Sequence, residues 1–158
     1  MNKLTAYRSG VFTVEAQRIA RDLVRRARND GLFVAFVEGQ AVSTKQAFFE
    51  ETACGLRFPD YFGWNWDAFE ESIQDLEWLP AKGSVLVFNH FDRLATAEPR
   101  EWAIGLDILE ESAGAWRRAG KPMLVLLRGP KEAAPTVTEF PPLSKRQQRR
   151  RVMPQPTS

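Results

Sequence analysis

Cysteine and histidine are nearly missing from this 158-residue chain, which has one of each, Cys54 and His90. A lone cysteine forms no internal disulfide, and a lone histidine builds neither a metal-ligating cluster nor a triad that needs a second histidine. Long apolar runs are missing too. Leu32–Val37 and Met123–Leu127 are the longest, far too short to span a bilayer. Lys3, Arg8, Glu15 and Arg18 interrupt the stretch where a signal peptide would need its apolar segment. These absences predict a cytoplasmic protein with no metal, no cofactor and no membrane partner. What is present, 44% hydrophobic and 27% charged residues, is the composition of an ordinary globular domain, long enough to bury a sizeable core.

Net charge is also nearly absent, at +2, but this total hides a segregation. Residues 1–31 carry +4, residues 32–127 carry −7, and residues 128–158 carry +5. Between Arg57 and Lys82 there is no basic residue, while Asp60, Asp67, Glu70, Glu71, Asp75 and Glu77 all fall in that gap. Partner choice depends on local potential rather than on the total, so the gap points to a cationic partner.

Three short apolar runs read as strands: Leu32–Val37, Ser84–Phe88 and Met123–Leu127. Their hydrophobicity is continuous rather than alternating, which predicts strands buried on both faces of a parallel sheet. Helices are expected over about Glu15–Arg28, with Thr13 as N-cap and Ala16, Ile19, Leu23 and Ala27 on one face. Others are expected over Thr44–Cys54 behind Ser43, over Trp66–Leu76 behind Asn65, and over Pro99–Ala119. From about Gly129 onward, six prolines and the basic run Lys145–Arg151 break every period. The expected fold is α/β, a three-stranded parallel sheet packed with helices, with an extra N-terminal helix and a flexible C-terminal tail. The boundaries fall at 1–31 for the extension, 32–128 for the α/β domain and 129–158 for the tail.

The most informative stretch is Pro59-Asp60-Tyr61-Phe62-Gly63-Trp64-Asn65-Trp66-Asp67-Ala68. Pro59 and Gly63 punctuate a loop, and Asn65 offers an acceptor to a helix whose first amides would otherwise have no partner. On that helix Trp66, Phe69, Ile73 and Leu76 share one face, and Asp67, Glu71 and Gln74 the other. Asp67 and Glu71 repel at four-residue spacing, while the helix dipole favours Asp67 in the first turn. Two carboxylates beside an aromatic-rich loop suit a cationic partner.

This stretch resembles the barstar family of intracellular ribonuclease inhibitors, through its Pro-x-Tyr-aromatic-Gly-x-Asn-x-Asp-Ala pattern and the order of elements over residues 32–127. The resemblance implies a protein that is not an enzyme. Its helix and preceding loop would plug the active site of an extracellular-type or toxin ribonuclease. It puts an aromatic anchor at Tyr61 and acidic contacts at Asp67 and Glu71, the latter being Asp in barstar, with Trp64, Asn65 and Glu70 completing the partner-binding set. A further acidic contact of the family aligns near Ala115, which is not acidic, so only Glu110 or Glu111, from another turn, offers a substitute. Trp64 and Trp66 are bulkier than the residues of barstar.

Other readings compete with this one. Without the surrounding motif, Asp67 and Glu71 are an ordinary solvated helix face. The same fold would also serve immunity against a different toxin, or a regulatory adaptor. The run Lys145–Arg151 is the one route to direct nucleic-acid binding. Cys54 reads as a small buried hydrophobe, and His90 lacks the nucleophile that catalysis would require.

Overall fold

The computed structural model describes residues 7–140. Five parallel strands form one sheet: β1 (Gly10–Thr13), β2 (Phe33–Glu38), β3 (Ser84–Asn89), β4 (Met123–Arg128) and β5 (Thr138–Glu139), in the spatial order β2-β3-β4-β1-β5. The three expected strands form one side of it, with Val34, Val85 and Leu124 in register across them. β3 and β4 are buried on both faces, as their unbroken hydrophobicity predicts, but β2 is an edge strand and is not: Ala35 and Val37 are buried while Phe36 on its other face is 45% exposed. Ala35, Val37, Leu86, Phe88, Val125 and Leu127 point to one core, and Val85, Val87, Leu124 and Leu126 to the other.

The helices are α1 (Gln17–Asn29), α2 (Lys45–Gly55), α3 (Trp66–Asp75), α4 (Asp92–Ala97) and α5 (Pro99–Arg118). The chain steps from β2 to β3 to β4 in one direction along the sheet, but from β1 back to β2 in the other. Right-handed crossovers therefore put α1 on one face and α2, α3 and α5 on the opposite face. The two cores match this division: Ala20, Leu23, Val24 and Ala27 of α1 line one, while Phe48 and Phe49 of α2, Phe69 and Ile73 of α3 and Leu109 of α5 line the other.

Several sequence expectations need correction. The sheet has five strands rather than three, because β1 and β5 extend it beyond β4. Thr13 is not a helix cap. It ends β1, is 1% exposed, and its hydroxyl has no hydrogen-bond partner among the described residues. The first helix starts later, at Gln17 behind Ala16, which supplies no side-chain cap. Its buried face is correspondingly rotated, and Ile19 is exposed while Ala20 and Val24 are buried. Thr44, not Ser43, caps α2, its Oγ1 accepting from the Ala47 N–H at 3.1 Å. Cys54 is exposed rather than buried. Residues 129–140 are structured, with a 3-10 turn at Lys131–Ala133 and β5 paired to β1. The rest of the expected tail, including the basic run Lys145–Arg151, lies outside the described residues.

Candidate functional site

The loop after α2 turns Phe58 and Phe62 toward the core and leaves Tyr61 and Trp64 at the surface. Phe58 and Phe62 meet edge to face with centroids 5.0 Å apart, and Phe62 also packs on Phe49 of α2. Trp64 then packs against Phe62, its ring tilted by 54° with the centroids 4.9 Å apart. This ladder anchors the loop to the core and ends at the surface, where Trp64 is 46% and Tyr61 78% exposed. Trp64 holds a left-handed backbone conformation (φ 57°), costly for a residue with a Cβ. The turn it makes reverses the chain into Asn65, whose extended backbone opens α3.

Asn65 fixes the start of that helix. Its Oδ1 accepts from the Ala68 N–H at 2.8 Å, and its Nδ2 donates to the Gly63 carbonyl at 3.3 Å, so one side chain ties both sides of the turn together. Phe69, Ser72 and Ile73 of α3 are buried, while Asp67 and Glu71 are exposed and Glu70 is half-buried. All six candidate residues (Tyr61, Trp64, Asn65, Asp67, Glu70 and Glu71) thus lie on one continuous loop-and-helix segment. None of the acids in the gap between Arg57 and Lys82 forms a salt bridge among the described residues. A cluster of like charge left unpaired projects its field into solvent.

A second device locks the helix against α5, and sequence reasoning missed it. The Trp66 indole N–H donates to Glu101 Oε2 at 2.7 Å, and the Lys45 ammonium approaches the same oxygen at 4.0 Å. The half-buried Trp66 ring lies against Gly105, where an added Cβ would sit 2.9 Å from its Cη2. α5 therefore needs a glycine at that point for the first turn of α3 to pack so closely. Glu101 is 35 residues from Trp66, and no local pattern joins them.

The two acids of the long helix nearest Ala115 have other surroundings. Glu110 lines a small depression with Arg8, Phe12 and Arg117 on the β1 side. Burial first, and Asp107 second, raise its carboxyl above the ordinary range. Glu111 is 3.6 Å from Arg118, and Ala115 is half-buried. No helix among the described residues is long and apolar enough to cross a membrane, and no group of three His, Cys, Asp or Glu converges as a metal site.

The model of one protein family, Barstar (barnase inhibitor), matches residues 32–128. The chain belongs to the barstar family. The barstar match begins at the residue before β2 and ends on the last residue of β4, so it contains the loop, α3 and α5. No curated protein matches the chain. β1, α1 and β5 lie outside the barstar match, yet β1 completes the hydrogen bonding of β4 and α1 covers the second face of the sheet. Barstar proteins are inhibitors rather than enzymes.

Proposed function

We propose that this protein inhibits a ribonuclease of extracellular or toxin type by inserting the Tyr61–Asn65 loop and the acidic face of α3 into its active site. A ribonuclease site is cationic, because it binds phosphates and stabilises the negative charge that develops on them. Asp67 and Glu71 stand in for those phosphates, Glu70 flanks them, and Tyr61 is an aromatic anchor with Trp64 beside it. The observation that carries the reading is the pairing of two exposed aromatic rings with a row of carboxylates that have no cationic partner among the described residues. The ladder beneath Trp64 and the Asn65 cap hold the surface in one conformation, which reduces the ordering cost of binding.

A second reading, immunity against a different toxin or an adaptor role, draws on Ala115, on the turn of Glu110 away toward β1, and on the bulk of Trp64. Those three alter the perimeter, and Glu71, where barstar has Asp, alters the centre beside Asp67. One experiment separates the two. The purified protein is titrated into a barnase-type ribonuclease at low salt, and RNA cleavage is followed for wild type, Asp67→Ala and Glu71→Ala. Inhibition should weaken at least about tenfold in each variant, the loss of one charge-assisted contact. Full inhibition by both variants overturns the proposed contacts. No inhibition by wild type shifts the reading to another partner, to be recovered by affinity capture compared with the Asp67/Glu71 double variant.

A further inference from the structure

On the face opposite α2, at the carboxyl ends of the strands, the structure contains a cleft of about 780 Å³ that the inhibitor reading does not use. Its floor is apolar, formed by Ala20, Val24 and Val87. Phe36, on the α1-facing side of β2, is 45% exposed there, a large ring left uncovered beside a buried core. Pockets of this size with an apolar floor and a few polar groups are the usual form of small-ligand sites.

Its location has a topological cause. β1 exits into α1 on one face, whereas its neighbour β4 exits through Gly129 and the 3-10 turn toward the other, where Ala134 joins the opposite core. Adjacent parallel strands whose connections diverge open a crevice at their carboxyl ends, the place where open α/β sheets bind ligands. At the far side of the cleft, β2 and β3 close tightly. A Cβ on Gly39 would lie 2.2 Å from the Asn89 carbonyl oxygen, so only glycine lets the two strand ends meet. His90 follows in a left-handed conformation (φ 54°), with its Nδ1 2.8 Å from Glu38 Oε1.

The charges in the cleft do not balance. Arg21, Arg28 and Arg128 line it, and none of them pairs with a carboxylate among the described residues. Arg128 instead donates Nε and Nη2 to the Val14 and Glu15 carbonyls. The two acids present are both engaged: Glu15 accepts from the Lys131 N–H, and Glu38 is bonded to His90 and to the Gln40 N–H. Arg21 and Arg28 are seven residues apart on one stripe of α1, so they stand about 10 Å apart. The Arg28 guanidinium lies 5.7 Å from the centre of the Phe36 ring, so an aromatic surface and a cation share one end of the cleft.

We propose that this cleft binds a nucleoside phosphate, with the base packed on Phe36 beside Arg28, the phosphate held by Arg21 at the Arg128 end, and the ribose hydroxyls donating to Glu38. A planar ring at one end and an anion at the other is the pairing that the separated cations and the exposed ring favour. The site is independent of α3, so its failure leaves the inhibitor reading standing.

The test is calorimetric titration of the full chain with adenosine 5′-monophosphate and uridine 5′-monophosphate, with adenosine and inorganic phosphate as separate arms. At least one nucleotide should saturate with a Kd below about 1 mM. Adenosine and phosphate should each bind at least about tenfold more weakly, as should the nucleotide to Arg21→Ala and to Phe36→Ala. Phe36→Leu, which keeps apolar bulk but not the flat ring, accompanies the alanine variant in case the latter fails to fold. No saturable binding by either nucleotide overturns the proposal. So do binding no tighter than that of inorganic phosphate, and affinity unchanged in both Arg21→Ala and Phe36→Leu.

Discussion

Replacing Asn65 with alanine separates the two tasks that this side chain performs. It removes the acceptor of the 2.8 Å bond from the Ala68 N–H and the weaker link to the Gly63 carbonyl. Loss of a helix N-cap costs about 1 kcal/mol, within a range of about 0.5–2. The 3.3 Å contact is solvent-exposed and adds little. The buried anchors Phe69, Ser72 and Ile73 lie beyond the first turn, so the helix stays docked while the turn that carries Asp67 frays. The expected loss is therefore about 1 kcal/mol, or roughly 2–4 °C in Tm for a chain of this size. Asn65→Asp is the matched control. It keeps the acceptor and gains from the helix dipole, about 0.3–1 kcal/mol, against repulsion from the nearby Asp67. Its stability should stay within about 0.5 kcal/mol of wild type. Urea unfolding of all three proteins, with equal m-values as the check on two-state behaviour, gives the numbers. If Asn65→Ala costs less than about 0.3 kcal/mol, or if Asn65→Asp costs as much as the alanine variant, the cap does not hold the loop–helix junction.

Two further outcomes are expected. Thr13→Val replaces a hydroxyl that is buried without a partner among the described residues by a methyl of nearly the same shape. It should raise stability by about 1 kcal/mol in urea unfolding, and a destabilised variant would mean that the hydroxyl is hydrogen-bonded after all. Tyr7 donates to Asp30 Oδ2 at 2.6 Å. Burial first, and the Asp30 bond second, push its pKa from 10.0 up to about 12. The folded state thus keeps a proton that the unfolded chain releases near pH 10. The contribution of Tyr7 is complete below that pH and disappears as pH rises through about 12. Wild type should lose stability relative to Tyr7→Phe over that window, and parallel curves would refute the assignment.

What the sequence disclosed follows the distance over which each feature is encoded. The junction between the loop and α3 was legible because its parts are adjacent: Gly63 and Asn65 specify the turn and the cap, and the face of Asp67 and Glu71 follows from helical spacing. β3 and β4 were legible because burial on both faces leaves an unbroken apolar run, and the edge strand β2 because its run stays apolar through the exposed Phe36. β1 was not. It has four residues, Gly10–Thr13, and its reason to be a strand is β4, more than a hundred residues later, which it pairs along its whole length. Read locally, the threonine before a helix is a cap; read against β4, the same residue is the end of a strand. β5 is shorter still, and prolines on both sides disguise it.

The same principle explains why the cleft beside α1 left no trace in the sequence while the acidic face was conspicuous. The acids of α3 sit within one segment that lacks bases, so charge counting alone finds them. The arginines of the cleft are spread over α1 and the end of β4, and among five arginines on α1 nothing local distinguishes Arg21 and Arg28 from a solvated face. They converge only because the chain reverses direction across the sheet after β1, which, among the described residues, puts α1 alone on its face and leaves the carboxyl ends of the strands uncovered. The segment before residue 32 therefore does more than precede the barstar region. By supplying both β1 and α1 it creates the second face of the sheet, and with it the cleft of about 780 Å³ at the carboxyl ends of the strands.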